Sequence, residues 1–291
     1  MKLATFDNNR IGRIDGEHIV DLSDSFPAYP GISRMKSLLM SGDDFLDADG
    51  PRTPLGEVRL QAPVPDPSKI VAAPVNYVDH QQEMNEDFNI DALGFFLKAP
   101  SSIIGPRDTV VLPYTDRRFD QEGELAVVIG QTARNVSRED ALDHVFGYTS
   151  LMDITMRGGE DRSTRKSFET FTPMGPWIVT RDEFGHPDEH GLVCEVSGEE
   201  RQNARFSDLI WNVEALVAYA SSVTTLLPGD VVATGTPAGV GPIFDGDSIS
   251  LTIDGIGGSL TVVVSSAGAV PCPTRGKGRG PIPPKDERID S

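Results

Sequence analysis

The feature that most constrains the fold is a series of short aliphatic runs separated by glycine and proline. The runs cover residues 70–72, 125–129, 177–179, 231–233, 248–253 and 260–264. Runs of this length, rich in valine and isoleucine, are typical of buried strands, and the 29 glycines and 22 prolines supply turns between them. Helical periodicity is confined to residues 33–46, 138–145 and 206–222. The pattern predicts a mainly β protein with some α, built as a barrel or rolled sheet.

Two changes in composition predict the domain boundaries. Prolines at positions 63, 65 and 67 fix φ and remove hydrogen-bond donors, which indicates an extended connector. We therefore expect a small N-terminal α+β domain and linker over residues 1–66, and a catalytic domain over residues 67–268. The Pro/Gly-rich segment 269–291 has too few aliphatic residues for a core and is expected to be a solvated tail. The alternative is an arm that wraps a partner subunit.

Charge and cysteine content exclude several classes of protein. With 44 acidic and 26 basic residues the net charge is -18, which disfavours binding to nucleic acid or anionic lipid. No apolar run approaches the roughly 20 residues that cross a bilayer, so we expect a soluble, cytoplasmic protein. Cys194 and Cys272 are far apart, which argues against a disulfide framework or a thiolate metal site.

Three acids occur at strand positions where a carboxylate is costly without a partner. Glu122 and Glu124 alternate at the start of the run 125–129, so their side chains point to the same face of a strand. Asp153 follows a second strand-like run and has apolar neighbours, Met152 and Ile154. Without histidine or cysteine nearby, three carboxylates predict a site for Mg²⁺, with Mn²⁺ or Ca²⁺ as substitutes. A lone Glu-x-Glu would otherwise be read as an exposed strand edge.

A histidine and a glutamate lie one helical turn apart just after the run 70–72. If the chain is helical from Val78, His80 and Glu83 are at positions i and i+3 and their side chains can meet. A carboxylate beside an imidazole fixes its tautomer and supports its charged form, as a general base requires. A surface ion pair is the alternative interpretation of the same spacing. The polar stretch that follows, residues 85–89, is typical of a lid.

Several separated motifs resemble the fumarylacetoacetate hydrolase family over roughly residues 60 to 265. They lie at residues 76–83, 96–106, 122–130, 147–157, 166–168, 175–177 and 227–241. The resemblance is to the small, single-catalytic-domain branch, which includes acylpyruvases, oxaloacetate decarboxylases and hydroxyhepta-dienedioate isomerases. It implies the mixed β-sandwich roll of that family and a homodimer.

The resemblance also implies roles for individual residues. Glu122, Glu124 and Asp153 correspond to the metal ligands, and His80 with Glu83 to the dyad that activates water. Lys166 corresponds to the active-site lysine. The expected substrate-binding residues are Arg157, Thr236, Gly235, Lys98 and Gln202, with Thr236 binding the substrate carboxylate beside the glycine-rich turn.

Two positions depart from the family pattern. Glu160 stands where the family usually carries Gln, seven residues after the metal-binding Asp. A carboxylate cannot donate the hydrogen bond that an amide offers to a developing oxyanion, and Arg157 or Arg162 is expected to neutralise it. Ser197 replaces the usual Asn in a hairpin turn, which we expect to affect folding alone.

The residues together predict a Mg²⁺-dependent hydrolase that cleaves a C–C bond of a 2,4-dioxo acid, such as an acylpyruvate or fumarylpyruvate. The metal and lysine would stabilise a pyruvate enolate, and the dyad would activate water. Isomerase, decarboxylase or hydratase action on oxaloacetate or 2-hydroxyhepta-2,4-dienedioate through the same enolate is the alternative. A catalytically silent metabolite-binding relative is the candidate from a different class. Phe88, Phe95 and Arg157 are candidates for the pocket that holds the rest of the substrate.

Overall fold

The computed structural model describes residues 1–42, 48–274 and 276. Its N-terminal part is a meander followed by one helix and two short strands. These elements are β1 (Lys2–Phe6), β2 (Arg10–Asp15), β3 (His18–Asp21), α1 (Arg34–Met40), β4 (Arg52–Pro54) and β5 (Leu60–Gln61). The helix expected over 33–46 is the shorter α1, capped by the Ser33 hydroxyl, which accepts from the Lys36 N–H. Residues 43–46 of that expectation lie outside the described part.

The next group of elements begins after Pro67 and ends with the first long hairpin. They are β6 (Ile70–Ala72), α2 (Val78–Glu83), α3 (Ile90–Leu93), β7 (Phe96–Lys98), β8 (Ile103–Ile104), β9 (Thr109–Val111), β10 (Phe119–Gln121), β11 (Gly123–Ile129) and β12 (Val145–Met152). The later elements are β13 (Thr155–Met156), α4 (Arg162–Arg165), β14 (Thr172–Thr180), α5 (Arg181–Phe184), β15 (Gly191–Val196), β16 (Glu199–Arg205), α6 (Val213–Val223), β17 (Val231–Ala233), β18 (Gly241–Pro242), β19 (Ser248–Ile253) and β20 (Ser259–Ser265). The predicted mainly β composition is confirmed.

One large sheet runs through the molecule. Its strand order is β4-β3-β2-β1-β14-β12-β11-β17-β6-β7, with β5 and β8 paired at its sides. The strands β11, β12 and β14 at its centre are antiparallel neighbours and are almost completely buried. Strands buried on both faces read as continuous apolar runs, which is why residues 125–129 show no alternation.

The N-terminal meander belongs to this same sheet. Lys2 and Leu3 of β1 pair with Val179 and Ile178 of β14, and Leu3 and Phe6 are fully buried. The hydrogen-bonded sheet is therefore continuous across the connector at residues 63–67. The boundary at residue 66 between a small N-terminal domain and a catalytic domain stays a prediction.

A second, five-stranded sheet packs on the first. Its order is β16-β15-β19-β20-β9, and β19 and β20 alternate buried with exposed residues, as expected for a sheet with one wet face. Its buried side chains, such as Leu251 and Val262, share a core with Val127 and Tyr148 of the large sheet. A three-stranded sheet, β13-β10-β18, lies at the end that carries the acids. The packing is that of a β-sandwich.

Two predicted helices differ from the structure. Residues 138–145 form only a 3₁₀ turn at Ala141–His144, and the chain enters β12 at Val145. The segment expected as a helix over 206–222 begins as a 3₁₀ turn, and α6 starts only after Asn212. Asn76 is the reason, because its side-chain and main-chain oxygens accept from the N–H groups of Trp211 and Ile210 and hold that stretch extended. None of the described helices has the length and apolarity to span a bilayer.

Candidate active site

Two neighbouring strands deliver three carboxylates to one point. Glu122 and Glu124 flank Gly123, where β11 begins, and Asp153 follows Met152, where β12 ends. Because Gly123 pairs with Met152, the start of β11 lies beside the end of β12. The Asp153 N–H donates to the carbonyl of Glu122 over 2.8 Å. The three acids are buried, and one carboxylate oxygen from each lies within 4.8 Å of the other two.

Two buried lysines compensate part of this negative charge. Lys166 Nζ lies 2.6 Å from Glu122 Oε2 and 2.6 Å from Asp153 Oδ2. Lys98 Nζ donates to the other oxygen of Asp153 and to the main-chain carbonyls of Lys166 and Phe171. Lys98 is only 1% exposed and is not part of the cavity lining. These contacts indicate that Lys98 orients Asp153, whereas the resemblance implied that Lys98 contacts the substrate.

The two glutamates are shifted in opposite directions. Burial raises the pKa of Glu124, and the negative charge of Asp153 raises it further, well above its ordinary value. Burial also opposes ionisation of Glu122, but the charges of Lys166 and Arg157 outweigh it and lower the pKa of that carboxyl to about 2. Glu124 is thus the acid that the protein's own cations stabilise less, and a bound cation would favour its ionised form.

The donor set fits a hard divalent cation. Carboxylate oxygens suit Mg²⁺, Mn²⁺ and Ca²⁺, whereas structural zinc sites are built largely from sulfur and nitrogen. Within residues 1–42, 48–274 and 276, no other group of three His, Cys, Asp or Glu side chains brings its ligand atoms this close. Glu122, Glu124 and Asp153 are therefore the residues that would hold the ion.

The glycine-rich loop after β17 supports Glu124 through its main chain. The Gly235 N–H donates to Glu124 Oε2 over 2.8 Å. Gly235 has a φ of +91°, and a Cβ added there would lie 2.8 Å from the Cβ of Asn76. The position therefore excludes a side chain. Gly235 therefore contacts a candidate metal ligand, Glu124, whereas the resemblance implied that Gly235 contacts the substrate.

Thr236 lines the cavity with its hydroxyl fixed from behind. Its Oγ1 donates to the Gly123 carbonyl over 3.0 Å and accepts from Gln202 Nε2 over 2.7 Å. Gln202 is 1% exposed and accepts from the Gly123 N–H over 2.8 Å, so it orients Thr236 without lining the cavity. A substrate carboxylate bound by the Thr236 hydroxyl would have to replace the Gly123 carbonyl as acceptor.

The helix α2 forms as predicted and places His80 and Glu83 together. His80 is 6% exposed, and its Nδ1 lies 3.2 Å from Glu83 Oε2. The other oxygen of Glu83 accepts from the Gly239 N–H over 2.9 Å, which ties α2 to the glycine-rich loop. Because Glu83 holds Nδ1, Nε2 is the ring nitrogen that can take a proton from a ligand. The buried position favours the catalytic interpretation over a surface ion pair.

A small cavity joins these groups. Its lining includes His80, Glu122, Glu124, Asp153, Arg157, Lys166 and Thr236, all expected from the sequence. Phe88 and Phe95 do not line it: Phe88 is 57% exposed, and Phe95 packs edge-on against Tyr219.

Sequence reasoning did not assign eight residues of the lining and one residue behind it. The lining residues are Ala73, Pro74, Val75, Met84, Glu86, Phe96, Arg162 and Arg165. The residue behind it is Asp120, which is fully buried and accepts from Arg157 Nε over 2.7 Å. Asp120 alternates with Glu122 along the chain, a signal that the same strand argument would have found.

Glu160 is neutralised by a residue other than those expected. Arg117 binds both of its oxygens, over 2.8 and 2.7 Å, and Thr274 donates to it from the C-terminal segment. Hydrogen bonding by Arg117 lowers the pKa of Glu160 to about 2. The expectation that Arg157 or Arg162 pairs with Glu160 is wrong, because Arg157 is engaged by Asp120 and Glu122 and Arg162 lies nearer Glu86.

The fold and the site together define a class of protein: a metal-assisted enzyme on a β-sandwich, with three buried carboxylates, a lysine and a His–Glu dyad around one cavity. Residues 69–264 match the family described as fumarylacetoacetate (FAA) hydrolase C-terminal. The chain belongs to the fumarylacetoacetate hydrolase family.

Known relatives support this membership over nearly the whole chain. The maleylpyruvate hydrolase of Aquipseudomonas alcaligenes is 44% identical over 287 residues, which cover 91% of this chain and 100% of that protein. The crystal structure of maleylpyruvate hydrolase from Sphingobium sp. SYK-6 with manganese(II) and pyruvate has a TM-score of 0.81 at 40% identity, covering 91% of this chain and 99% of that one. A mitochondrial oxaloacetate tautomerase of Xenopus laevis is 37% identical over 270 residues, 86% of this chain and 84% of that protein. The manganese complex and the acidic triad both support divalent-metal binding.

Proposed function

We propose that this protein is a divalent-metal-dependent hydrolase that cleaves a C–C bond of a 2,4-dioxo acid of the acylpyruvate or maleylpyruvate type. Its products are pyruvate and a carboxylic acid. The observation that carries the proposal is the meeting of three buried carboxylates, Lys166 and the His80–Glu83 dyad around one cavity. The two maleylpyruvate hydrolases among the relatives support it.

The reaction needs stabilisation of negative charge on the pyruvyl half of the substrate. Glu122, Glu124 and Asp153 would hold an ion that would supply Lewis-acid polarisation of the 2-oxo group. Lys166, which the acids hold at 2.6 Å, adds a cation beside the same position. Because charge on that oxygen grows toward the transition state, these contacts accelerate the reaction instead of merely binding substrate.

The reaction also needs an activated water. His80 Nε2 takes a proton from water, while Glu83 keeps the imidazole in the required tautomer and stabilises its charged form. The hydroxide adds to carbon 4, the bond between carbons 3 and 4 breaks, and pyruvate leaves as an enolate. Carbon 3 then takes up a proton. The hydrogen bond from Gly239 to Glu83 keeps α2, and hence His80, over the cavity during these steps.

Isomerisation, decarboxylation or hydration of a related 2-oxo acid is the second candidate function. Enolate stabilisation by Lys166 and the acids does not itself require a placed water, and the oxaloacetate tautomerase among the relatives supports this alternative. Hydrolysis is preferred because the buried dyad gives the site a base for water.

Several finer points belong to the same proposal. The resident ion is Mg²⁺, which the oxygen-only donor set suits, with Mn²⁺ or Ca²⁺ as substitutes. The protein acts as a homodimer in the cytoplasm, on a small-molecule 2-oxo acid from the catabolism of aromatic compounds. It has no nucleic-acid or membrane partner.

The test is a substrate panel assayed with Mg²⁺ and Mn²⁺ on wild type, His80→Ala and the exposed-histidine control His18→Ala. The panel contains maleylpyruvate, fumarylpyruvate, an acylpyruvate and oxaloacetate. We expect His80→Ala to lose about 10²- to 10⁴-fold in hydrolysis, the usual contribution of a positioned base, while His18→Ala matches wild type. Rapid keto–enol conversion of oxaloacetate without hydrolysis of any 2,4-dioxo acid would favour the second candidate instead.

A further inference from the structure

The cavity is lined by a buried arginine that forms no ion pair with the described residues. Four basic side chains line the cavity: Arg157, Arg162, Arg165 and Lys166. Lys166 contacts Glu122, Arg157 Nη2 lies 3.0 Å from the same acid, and Arg162 Nη2 lies 3.9 Å from Glu86. Across the part of the chain that the structure describes, no carboxylate oxygen lies within 4.0 Å of an Arg165 nitrogen.

Arg165 is held rigidly in this position. Only 7% of its surface is exposed. Its Nε donates to the Glu160 carbonyl over 2.8 Å and its Nη1 to the Met156 carbonyl over 3.2 Å. Neutral carbonyls orient a guanidinium without neutralising it, and a buried cation is costly unless an anion compensates it. The second Nη nitrogen remains as a donor for a ligand in the cavity.

The neighbours of Arg165 place it on one side of the acids. Arg157, which lines the same wall, contacts Glu122, whereas Thr236 stands on the loop that binds Glu124. A linear substrate whose 1-carboxylate lies near Thr236 and whose 2-oxo group lies at the acids would direct its acyl end toward α4. Arg162 lies one helical turn before Arg165 in α4, also lines the cavity, and has a side chain 28% exposed.

We propose that Arg165, assisted by Arg162, binds a second carboxylate at the acyl end of the substrate and so makes the enzyme selective for dicarboxylic 2,4-dioxo acids. The inference rests on the proposed function and assigns the specificity of that site. A guanidinium presents paired N–H groups that match a carboxylate, and a neutral acyl group would leave Arg165 without a directly bonded anion. The preference for a dicarboxylic substrate should therefore be strong, because a neutral substrate would leave the buried guanidinium without an ion-pair partner.

The test compares kcat/KM for maleylpyruvate and for its neutral analogue, in which a methyl group replaces the distal carboxylate. The variants are Arg165→Gln, Arg165→Lys and Arg162→Gln. The control is Arg181→Gln, which removes the same charge from an exposed residue paired with Asp143. We expect wild type to prefer maleylpyruvate, and Arg165→Gln to lower the ratio of the two kcat/KM values at least tenfold, mainly through KM for maleylpyruvate. Arg165→Lys should recover part of the ratio, and Arg181→Gln should leave it unchanged.

Separate outcomes distinguish this inference from the proposed function. If wild type cleaves both substrates and Arg165→Gln lowers both kcat/KM values by the same factor, the distal-carboxylate site is wrong while the hydrolase stands. If wild type cleaves neither, the proposed function fails and the inference fails with it. Should Arg165→Gln not fold, Arg162→Gln, at a less buried position, decides: a ratio lowered at least threefold supports the proposal, and an unchanged ratio overturns it.

Discussion

The charged residues of this site form ion pairs with one another. Arg157 joins Asp120 to Glu122, Lys166 joins Glu122 to Asp153, and Lys98 holds Asp153 from behind. Each buried acid except Glu124 thus has a basic partner within contact distance. Glu124, whose ionised form burial disfavours, is the acid of this site that a bound metal ion would stabilise most.

The Arg117–Glu160 pair predicts a pH-dependent stability difference. The folded-state pKa of Glu160 is about 2, below its ordinary value, so the pair stabilises the fold above about pH 4.5 and is lost as pH falls toward 2. We expect Glu160→Gln, which restores the usual family residue, to lower the free energy of unfolding at pH 7 by about 1.5 to 3 kcal/mol. The difference should shrink steadily below pH 4.5.

Urea denaturation of wild type and Glu160→Gln at pH 7, 4 and 3 measures this difference. Glu199→Gln, whose side chain is 70% exposed, is the matched control. A stability difference for Glu160→Gln that is the same at all three pH values would contradict the assignment to an ionised pair.

At the scale of elements, the loop after β17 contacts both Glu124 and the helix α2. Its Gly235 binds Glu124, and its Gly239 binds Glu83 of α2. A proposed metal ligand and the partner of the proposed general base are therefore held by one short main-chain segment. Outer-shell hydrogen bonds of this kind orient ligands and commonly change metal affinity by 10- to 100-fold.

Gly235→Ala tests the role of this loop. The added methyl group would meet Asn76 at 2.8 Å and displace the Gly235 N–H from Glu124, so Mn²⁺ affinity should fall by roughly 10- to 100-fold. Gly246→Ala is a matched control, because Gly246 has a similar φ of +85° but no atom within 4 Å of the added Cβ. Calorimetric titration of both variants with Mn²⁺ gives the comparison. Equal affinities in the two variants would contradict a specific role for the Gly235 N–H in holding Glu124.

Features that depend on the local residue pattern were predictable from the sequence. Strand alternation placed Glu122 and Glu124 on one face, and the apolar neighbours of Asp153 marked it as a buried acid in need of a partner. Arg165 was not predictable, because its partners are main-chain carbonyls of a turn whose path the sequence does not specify. The late start of α6 likewise depends on Asn76, 135 residues away from Trp211.

At the scale of the whole molecule, one sheet links the N-terminal meander to the strands that carry the acids. The strand β1 pairs with β14, which pairs in turn with β12. The described end of the chain also contacts this region, since the Gly159 N–H donates to the Gly276 carbonyl over 3.0 Å. Contacts of this extent favour a single cooperative unit.

We therefore predict that the protein unfolds in one transition. Trp177 lies in β14 beside the meander, whereas Trp211 precedes α6, so fluorescence reports on two different elements of the molecule. Chemical denaturation of Trp177→Phe and Trp211→Phe, each followed by fluorescence and by circular dichroism, should give coincident curves for the two probes. An early transition that is seen only when Trp177 is the remaining tryptophan would indicate that the meander unfolds separately.

The most direct measurement titrates chelated, metal-free protein with Mn²⁺ while bound ion and 2,4-dioxo acid cleavage are followed in the same samples. We predict one bound Mn²⁺ per chain, cleavage that rises in proportion to it, and at least tenfold weaker binding in Glu124→Gln but not in the exposed control Glu199→Gln. Full activity after exhaustive chelation, or wild-type Mn²⁺ affinity in Glu124→Gln, would contradict a catalytic ion held by Glu122, Glu124 and Asp153.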